Sequence, residues 1–352
     1  MNTSDSTNSA LFVSTIQTRI NDYFKENNCS IKSNWAMHLK IATGTLWWLL
    51  SYLVIVLLPL TKWEFFAVYL FHGMGHIFFS FNVGHDALHN AISKSKKINK
   101  FWSYSYDLLG VNTYMWRFMH HRGHHACLNI QGEDMSLETA GFFRLSSHEK
   151  RKKMHKYQHL YSFVIYGSYL FYYVFVKDYK YFFSKNNIHL KNKKHSRKEW
   201  VILFMGKFLY LSYMLFIPLY ILPFSWYFIV FTFCVTLFMI GIIMSFTFQT
   251  THIIDTTTYP KSKKEYENYV YHVFETTADY AANNPLANWF FGGLNVHVIH
   301  HLRSDICHIH YPALTRIVKA TAKEFGVPYR ENITIFDAGM AHLKQLKKLG
   351  TA

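Results

Sequence analysis

Hydrophobic positions along this chain fall into long uncharged runs separated by polar, histidine-rich segments. Residues 41–60, "IATGTLWWLLSYLVIVLLPL", carry no charged side chain. At about 1.5 Å of rise per residue this stretch makes roughly 30 Å of helix, the thickness of a bilayer core. Residues 224–246 are also uncharged, 201–222 hold the single lysine Lys207, and 65–83 hold only His72 and His76 as ionisable groups. Length alone would allow two soluble domains, but this pattern predicts a multi-span membrane protein. Only Thr61 to Glu64 separate the first two runs, which predicts a tight antiparallel hairpin; the last two, hinged near Pro223, form a second. A fifth run, 160–176, reads differently. It carries five tyrosines and is flanked on both sides by lysines, Lys150 to Lys156 before it and Lys177 to Lys185 after it. Positive charge on both sides argues against a crossing, and tyrosine favours the interface, so a helix lying in the membrane surface is expected.

The expected fold class is therefore an all-α integral membrane protein with four transmembrane helices in two hairpins and a cytosolic helical cap. Its expected divisions are residues 1–33, a polar tail and short helix; 34–83, the first hairpin; 84–200, a cytosolic segment with the interfacial helix; 201–248, the second hairpin; and 249–352, a cytosolic C-terminal segment. Composition sharpens this. Lys and Arg exceed Asp and Glu by 37 to 21, and the basic runs flank the apolar spans. They fit loops held on the cytoplasmic side beside anionic lipid. No nucleic-acid-binding motif accompanies them, so no nucleic-acid partner is expected. The first residues, "MNTSDSTNSA", lack the basic–apolar–small pattern of a secretory signal. The four cysteines form no CxxC pair, so neither a disulfide framework nor a zinc ribbon is expected.

Histidine carries the candidate chemistry. Three clusters stand out: "HDALH" (His85 to His89), "HHRGHH" (His120 to His125) and "HVIHH" (His297 to His301). Helical spacing lets His85/His89, His120/His124, His121/His125 and His297/His301 each aim two imidazoles at one point. His252 lies just past the last span. Isolated histidines such as His38, His148, His189, His195 and His342 read as ordinary satisfied or surface groups. The clusters do not: adjacent cations repel, and half-buried neutral rings need partners. A metal satisfies many at once. Imidazole suits iron, zinc, copper and nickel, so ligand type leaves the element open. Number says more, since a single tetrahedral zinc takes four ligands and here at least eight histidines converge, enough for two metals. Asp86, Asp134, Asp279 and Asp305 are candidates to orient those rings, and ordinary surface carboxylates otherwise. His72 and His76 read as a pair hydrogen-bonded to backbone across the bundle rather than as part of a substrate tunnel. "HGMGHIF" lacks the third glycine and the βαβ setting of a dinucleotide fold.

From residue 65 onward the chain resembles the membrane fatty acid desaturases, closest to the bacterial and cyanobacterial front-end, Δ6-type branch. The resemblance rests on "NVGHDALHN", "LLGVNTYMWRFMHHRGHH", "FRLSSHEKRKKMHKYQHLY" and "TTADYAANNPLANWFFGGLNVHVIHHLRSDICHIHYPAL". It implies two iron ions on histidines, with O2 and two electrons used to place a cis double bond in an acyl chain carried on lipid, CoA or acyl carrier protein. It implies a multi-pass membrane location with the active site on the cytoplasmic face. His85 and His89 match the first histidine box, His120, His124 and His125 the second in its HxxxHH form, His300 and His301 the end of the third, and His252 a further histidine of the family. Two positions depart from it. His297 stands where front-end members carry Gln, and His121 is an additional imidazole that also fits an HxxHH register, so both His120 and His121 stay candidate ligands. No HPGG haem-binding signature occurs, so electrons are expected from a separate donor of ferredoxin or cytochrome b5 type. The rivals are a di-iron hydroxylase or sphingolipid-type desaturase of the same superfamily, and a metal transporter. A transporter would place its ligands at the membrane midplane, not at span ends. A zinc hydrolase would need the glutamate of HExxH, absent from every cluster.

Overall fold

A computed structural model describes residues 3–184, 189–190, 193–266 and 268–352. Asn34 caps helix α2 (Trp35–Leu57) by accepting from the amides of Ala36 and Met37. A reciprocal box between Thr61 and Glu64 starts helix α3 (Lys62–Leu88) almost at once, because it satisfies two orphan amides there. These two, with the later helices Arg197–Ile221 and Trp226–His252, are long and apolar enough to cross a membrane. Only 28% of the most apolar stretch of α2 and 22% of that of Arg197–Ile221 is buried, against 67% for α3 and 56% for Trp226–His252. The latter two are thus the inner pair. The outer two turn Leu46, Leu50, Phe204 and Phe208 outward.

Between the spans, helix Thr113–Arg117 runs into a widened π-helical segment, Phe118–His125; together they are α4. The tyrosine-rich run forms α5 (Gln158–Gly167), which breaks at Ser168 and resumes in short helical turns to Phe182. The helices Arg197–Ile221 and Trp226–His252 are α6 and α7. α5 crosses α7 where a Cβ on Gly241 would lie 2.6 Å from the carbonyl oxygen of Gly167, so the two backbones touch. After α7 come α8 (His297–Leu302), α9 (Tyr311–Glu324) and α10 (Ile335–Thr351), with one parallel strand pair, Asp279–Tyr280 against Glu331–Asn332, as the departure from an all-α chain.

The N-terminus corrects the sequence reading. In place of a tail and short helix, residues Thr3–Glu26 form one 24-residue helix, α1. Phe12, Ile16, Ile20 and Phe24 recur every fourth residue and bury in a shared core with Leu314, Val318 and Ala322 of α9. Arg19 reaches the carboxylate of Glu324 at 2.7 Å. The stripe is narrow within a polar segment, and packing rather than propensity makes the helix.

Candidate metal centre

The three clusters and His252 come from four elements that meet at one end of α3 and α7. His85 and His89 close α3 after a π-helical turn at Ser80–Gly84. His252 is the last residue of α7. Gly292 and Gly293, with φ of 60° and 76°, lead into the third cluster. A Cβ on Gly292 would sit 2.7 Å from the carbonyl oxygen of Phe81, so only glycine lets this loop lie against α3.

The histidines fall into two groups of four. His85, His89, His120 and His300 form one; His124, His252, His297 and His301 form the other, and within each the ligand nitrogens lie within 4.8 Å of one another. In the first, His120 Nε2 is 3.2 Å from His85 Nε2 and 2.9 Å from His89 Nε2. In the second, His301 Nε2 is 3.2 Å from His252 Nε2. His125 lies between the groups, 3.1 Å from His120 Nε2 and 3.0 Å from His300 Nε2 of the first, with its ring 4.4 Å from that of His301 of the second. His121 belongs to neither. Its ring stands 4.6 Å from that of His89, and its Nε2 has no hydrogen-bond partner among the described residues.

The expected pairing of His120 with His124 does not occur. An α-helix would align residues i and i+4, but this segment is π-helical and its turns close at i+5. His120 therefore meets His125, and His124 turns to the other group. The pairs His85/His89 and His297/His301 do share a group, as their spacing predicts.

Burial sets the electrostatics. The pKa values of His89, His120, His125, His297, His300 and His301 fall well below the ordinary imidazole range, chiefly through desolvation and then through neighbouring imidazoles. These rings are neutral at pH 7, the form that can bind a metal. His297 is fully buried, and neither ring nitrogen has a hydrogen-bond partner among the described residues. A buried polar ring so placed is costly, and a cation between the rings would satisfy it. Supporting contacts hold the rings. Asp134 holds His124 Nδ1 at 3.2 Å from both carboxylate oxygens and accepts from the amides of Asn129 and Ser136. His252 Nδ1 donates to the carbonyl of Thr276 at 3.0 Å. Trp116, one helical turn before His120, stacks on it at 5.2 Å and 12°, a support that sequence reading passed over although its i, i+4 spacing was visible.

The other carboxylates serve elsewhere. Asp279 accepts from the amide of Val298 and the hydroxyl of Tyr329, and so pins α8 in place. Asp86 holds His308 Nδ1 at 2.8 Å, and His308 Nε2 in turn lies 3.0 Å from the Lys40 ammonium. Asp305 pairs with Arg303. His72 and His76 form a buried relay from Ser51 Oγ through both Nε2 atoms to the hydroxyl of Tyr213. The partners come from α2 and α6, so the pair is bonded across the bundle through side chains. His342, read from sequence as an ordinary satisfied histidine, bonds the carbonyl of Ile253 and the hydroxyl of Tyr166.

Beside the histidines lies a cavity of about 50 Å³ lined by Trp116, Met119, His120, His124, Lys177 and His252 among others. It shares Ser136, Tyr169, Phe248 and Gln249 with a second cavity of about 450 Å³, lined mainly by Phe142, Phe143, Ile165, Phe171, Phe175 and other apolar side chains.

The model of the fatty acid desaturase family matches residues 61–332. The chain belongs to that family. Among curated relatives, this desaturase is 33% identical to the sn-1 linoleoyl-lipid 6-desaturase of Synechocystis sp., over 95% of its own length and 94% of the relative's. It is 30% identical to the enzyme of the same name in Arthrospira platensis, over 94% and 90% of the two chains. The acyl-lipid (8-3)-desaturase of Physcomitrium patens is 30% identical, with 96% of this chain and 72% of that one covered. The enzyme is an oxidoreductase that introduces a double bond into a fatty acyl chain, and its four long apolar helices make it a membrane protein.

Proposed function

We propose that this desaturase acts on an acyl chain esterified in a membrane lipid and places a cis double bond counted from the carboxyl end, at the sixth position as named for its cyanobacterial relatives. Two iron ions are the proposed cofactor, one on His85, His89, His120 and His300, the other on His124, His252, His297 and His301, with His125 between them. The pair of four-histidine groups carries this reading. All-imidazole donors suit iron, and oxidation of an unactivated methylene requires a redox-active metal, which zinc is not. Bound there, iron would supply the redox chemistry by which O2 and two electrons remove two hydrogens from neighbouring methylenes.

The chain's own residues do the rest. Neutral imidazoles keep their lone pairs free for metal, and Asp134 fixes the tautomer of His124 by accepting its Nδ1 proton. The apolar cavity has room for a flexible hydrocarbon tail. Trp116, Met119 and Phe248 exclude water where the chain meets the histidines. The proposed topology is two hairpins, with both termini, the histidine segments and the 160–176 helix on the cytoplasmic face. Electrons come from a separate ferredoxin- or cytochrome b5-type donor. Elemental analysis of purified protein tests the cofactor: about two irons per chain are expected, and zinc without iron ends the reading. Fatty-acid analysis of a desaturase-deficient host expressing the chain tests the product.

A further inference from the structure

The histidine centre is buried, and its covering is thin at His125 and the adjoining His121, both only partly buried. Five exposed cations crowd the surface around that covering: Lys100, Arg117, Arg122, Lys193 and Lys198. They come from three segments distant in sequence, so no single basic run explains the patch. Arg122 and Lys193 both lie over the ring of Phe118, at 5.4 Å and 3.8 Å from its centre. Lys100 has its pKa lowered, by burial and then by Lys198 and Arg117; Lys193 likewise, by burial and then by Arg122. The cations are thus close enough to repel one another. Glu199 is the carboxylate that offsets Lys100 and Lys193. Arg117 also acts on His121, whose ring touches that of His89.

Like charges held together on a surface cost stability unless an anionic partner meets them. An electron entering the centre must cross the protein, and tunnelling weakens steeply with distance, so a thin covering favours entry. We infer that this patch, centred on Phe118 between Arg122 and Lys193, is the docking surface for an acidic one-electron carrier protein. The inference rests on the proposed need for a separate donor. A small apolar centre inside a cationic rim suits the weak, salt-sensitive encounters of redox partners. Anionic lipid headgroups are the competing occupant of a basic surface beside the spans.

The test uses the full-length enzyme in phosphatidylcholine nanodiscs, with reduced plant-type ferredoxin and soluble cytochrome b5 as acidic probes. Binding is measured directly and as the KM for donor, across a salt series. Arg122→Glu with Lys193→Glu should weaken donor binding about tenfold or more and flatten its salt dependence. Arg122→Gln with Lys193→Gln should fall between that variant and the wild type. Lys323→Glu, an exposed charge change on α9, should leave binding unchanged. Single turnover with chemically reduced enzyme should be unaffected in every variant. Donor binding that survives both reversals overturns the docking surface while leaving the donor requirement intact. So does a loss seen only as weaker association with phosphatidylglycerol-rich nanodiscs, which would assign the patch to lipid. Wild-type turnover with no donor protein would overturn the donor reading itself, and the docking surface with it.

Discussion

His120 and His121 are neighbours in sequence and strangers in the fold. His120 Nε2 lies within 3.2 Å of three other imidazole nitrogens, whereas His121 joins neither group of four. His120→Ala should therefore abolish product formation and lower iron content, while His121→Ala should keep both; the reverse result would put the ligand one residue on. The assay is product in whole cells, normalised to membrane-inserted protein. His297 shares its group with three other rings, and glutamine would keep a polar side chain of similar reach there. His297→Gln should retain measurable turnover and His300→Ala none. Asp134 offers a milder lever. Asp134→Asn keeps the shape but removes the charge that orients His124, so metal affinity or activity should drop roughly 10- to 100-fold. Unchanged iron content and rate in that variant would reduce Asp134 to a turn residue.

At the level of elements, the widened turns of α3 and α4 decide which histidines meet. Sequence reading with α-helical spacing found the boxes and the pairs His85/His89 and His297/His301. It mispaired His120, because nothing in "FMHHRGHH" announces i+5 closure. The α5–α7 crossing matters in another way. Gly241 has the carbonyls of Gly167 and Tyr166 within 2.6 and 2.7 Å of where its Cβ would stand. The same two helices carry Ile165, Tyr166, Ser245 and Phe248 of the large cavity. Gly241→Val should force the helices apart at a cost of about 1–3 kcal/mol. It should also impair acyl-chain use more than iron binding. Thermal unfolding and iron content measured together check this; a variant with normal stability and activity would mean the crossing yields without consequence.

Across the whole molecule, α1 lies on α9, so the N-terminal segment and the segment that follows the third histidine cluster are on the same side of the fold. Reporter tags at residue 5, residue 190 and the C-terminus should accordingly all be accessible from the cytoplasm. A tag at 190 reached only from outside would mean that the tyrosine-rich helix crosses the membrane.

Local chemistry was enough to mark the four spans, the histidine boxes and the desaturase family, because uncharged length and the spacing of rare residue types survive in one dimension. The same holds for the ordinary role of His342. Tertiary structure decided what depends on neighbours far along the chain. It made α1 a full helix, since its apolar stripe packs against residues far along the chain, such as Phe274, Leu314 and Val318. It divided the histidines between two groups through helix phase, joined Lys40 to His308 and Asp86, and brought Lys100, Arg122 and Lys193 together beside His121. Those outcomes are set by which surfaces bury against one another, and no spacing within a single segment records that.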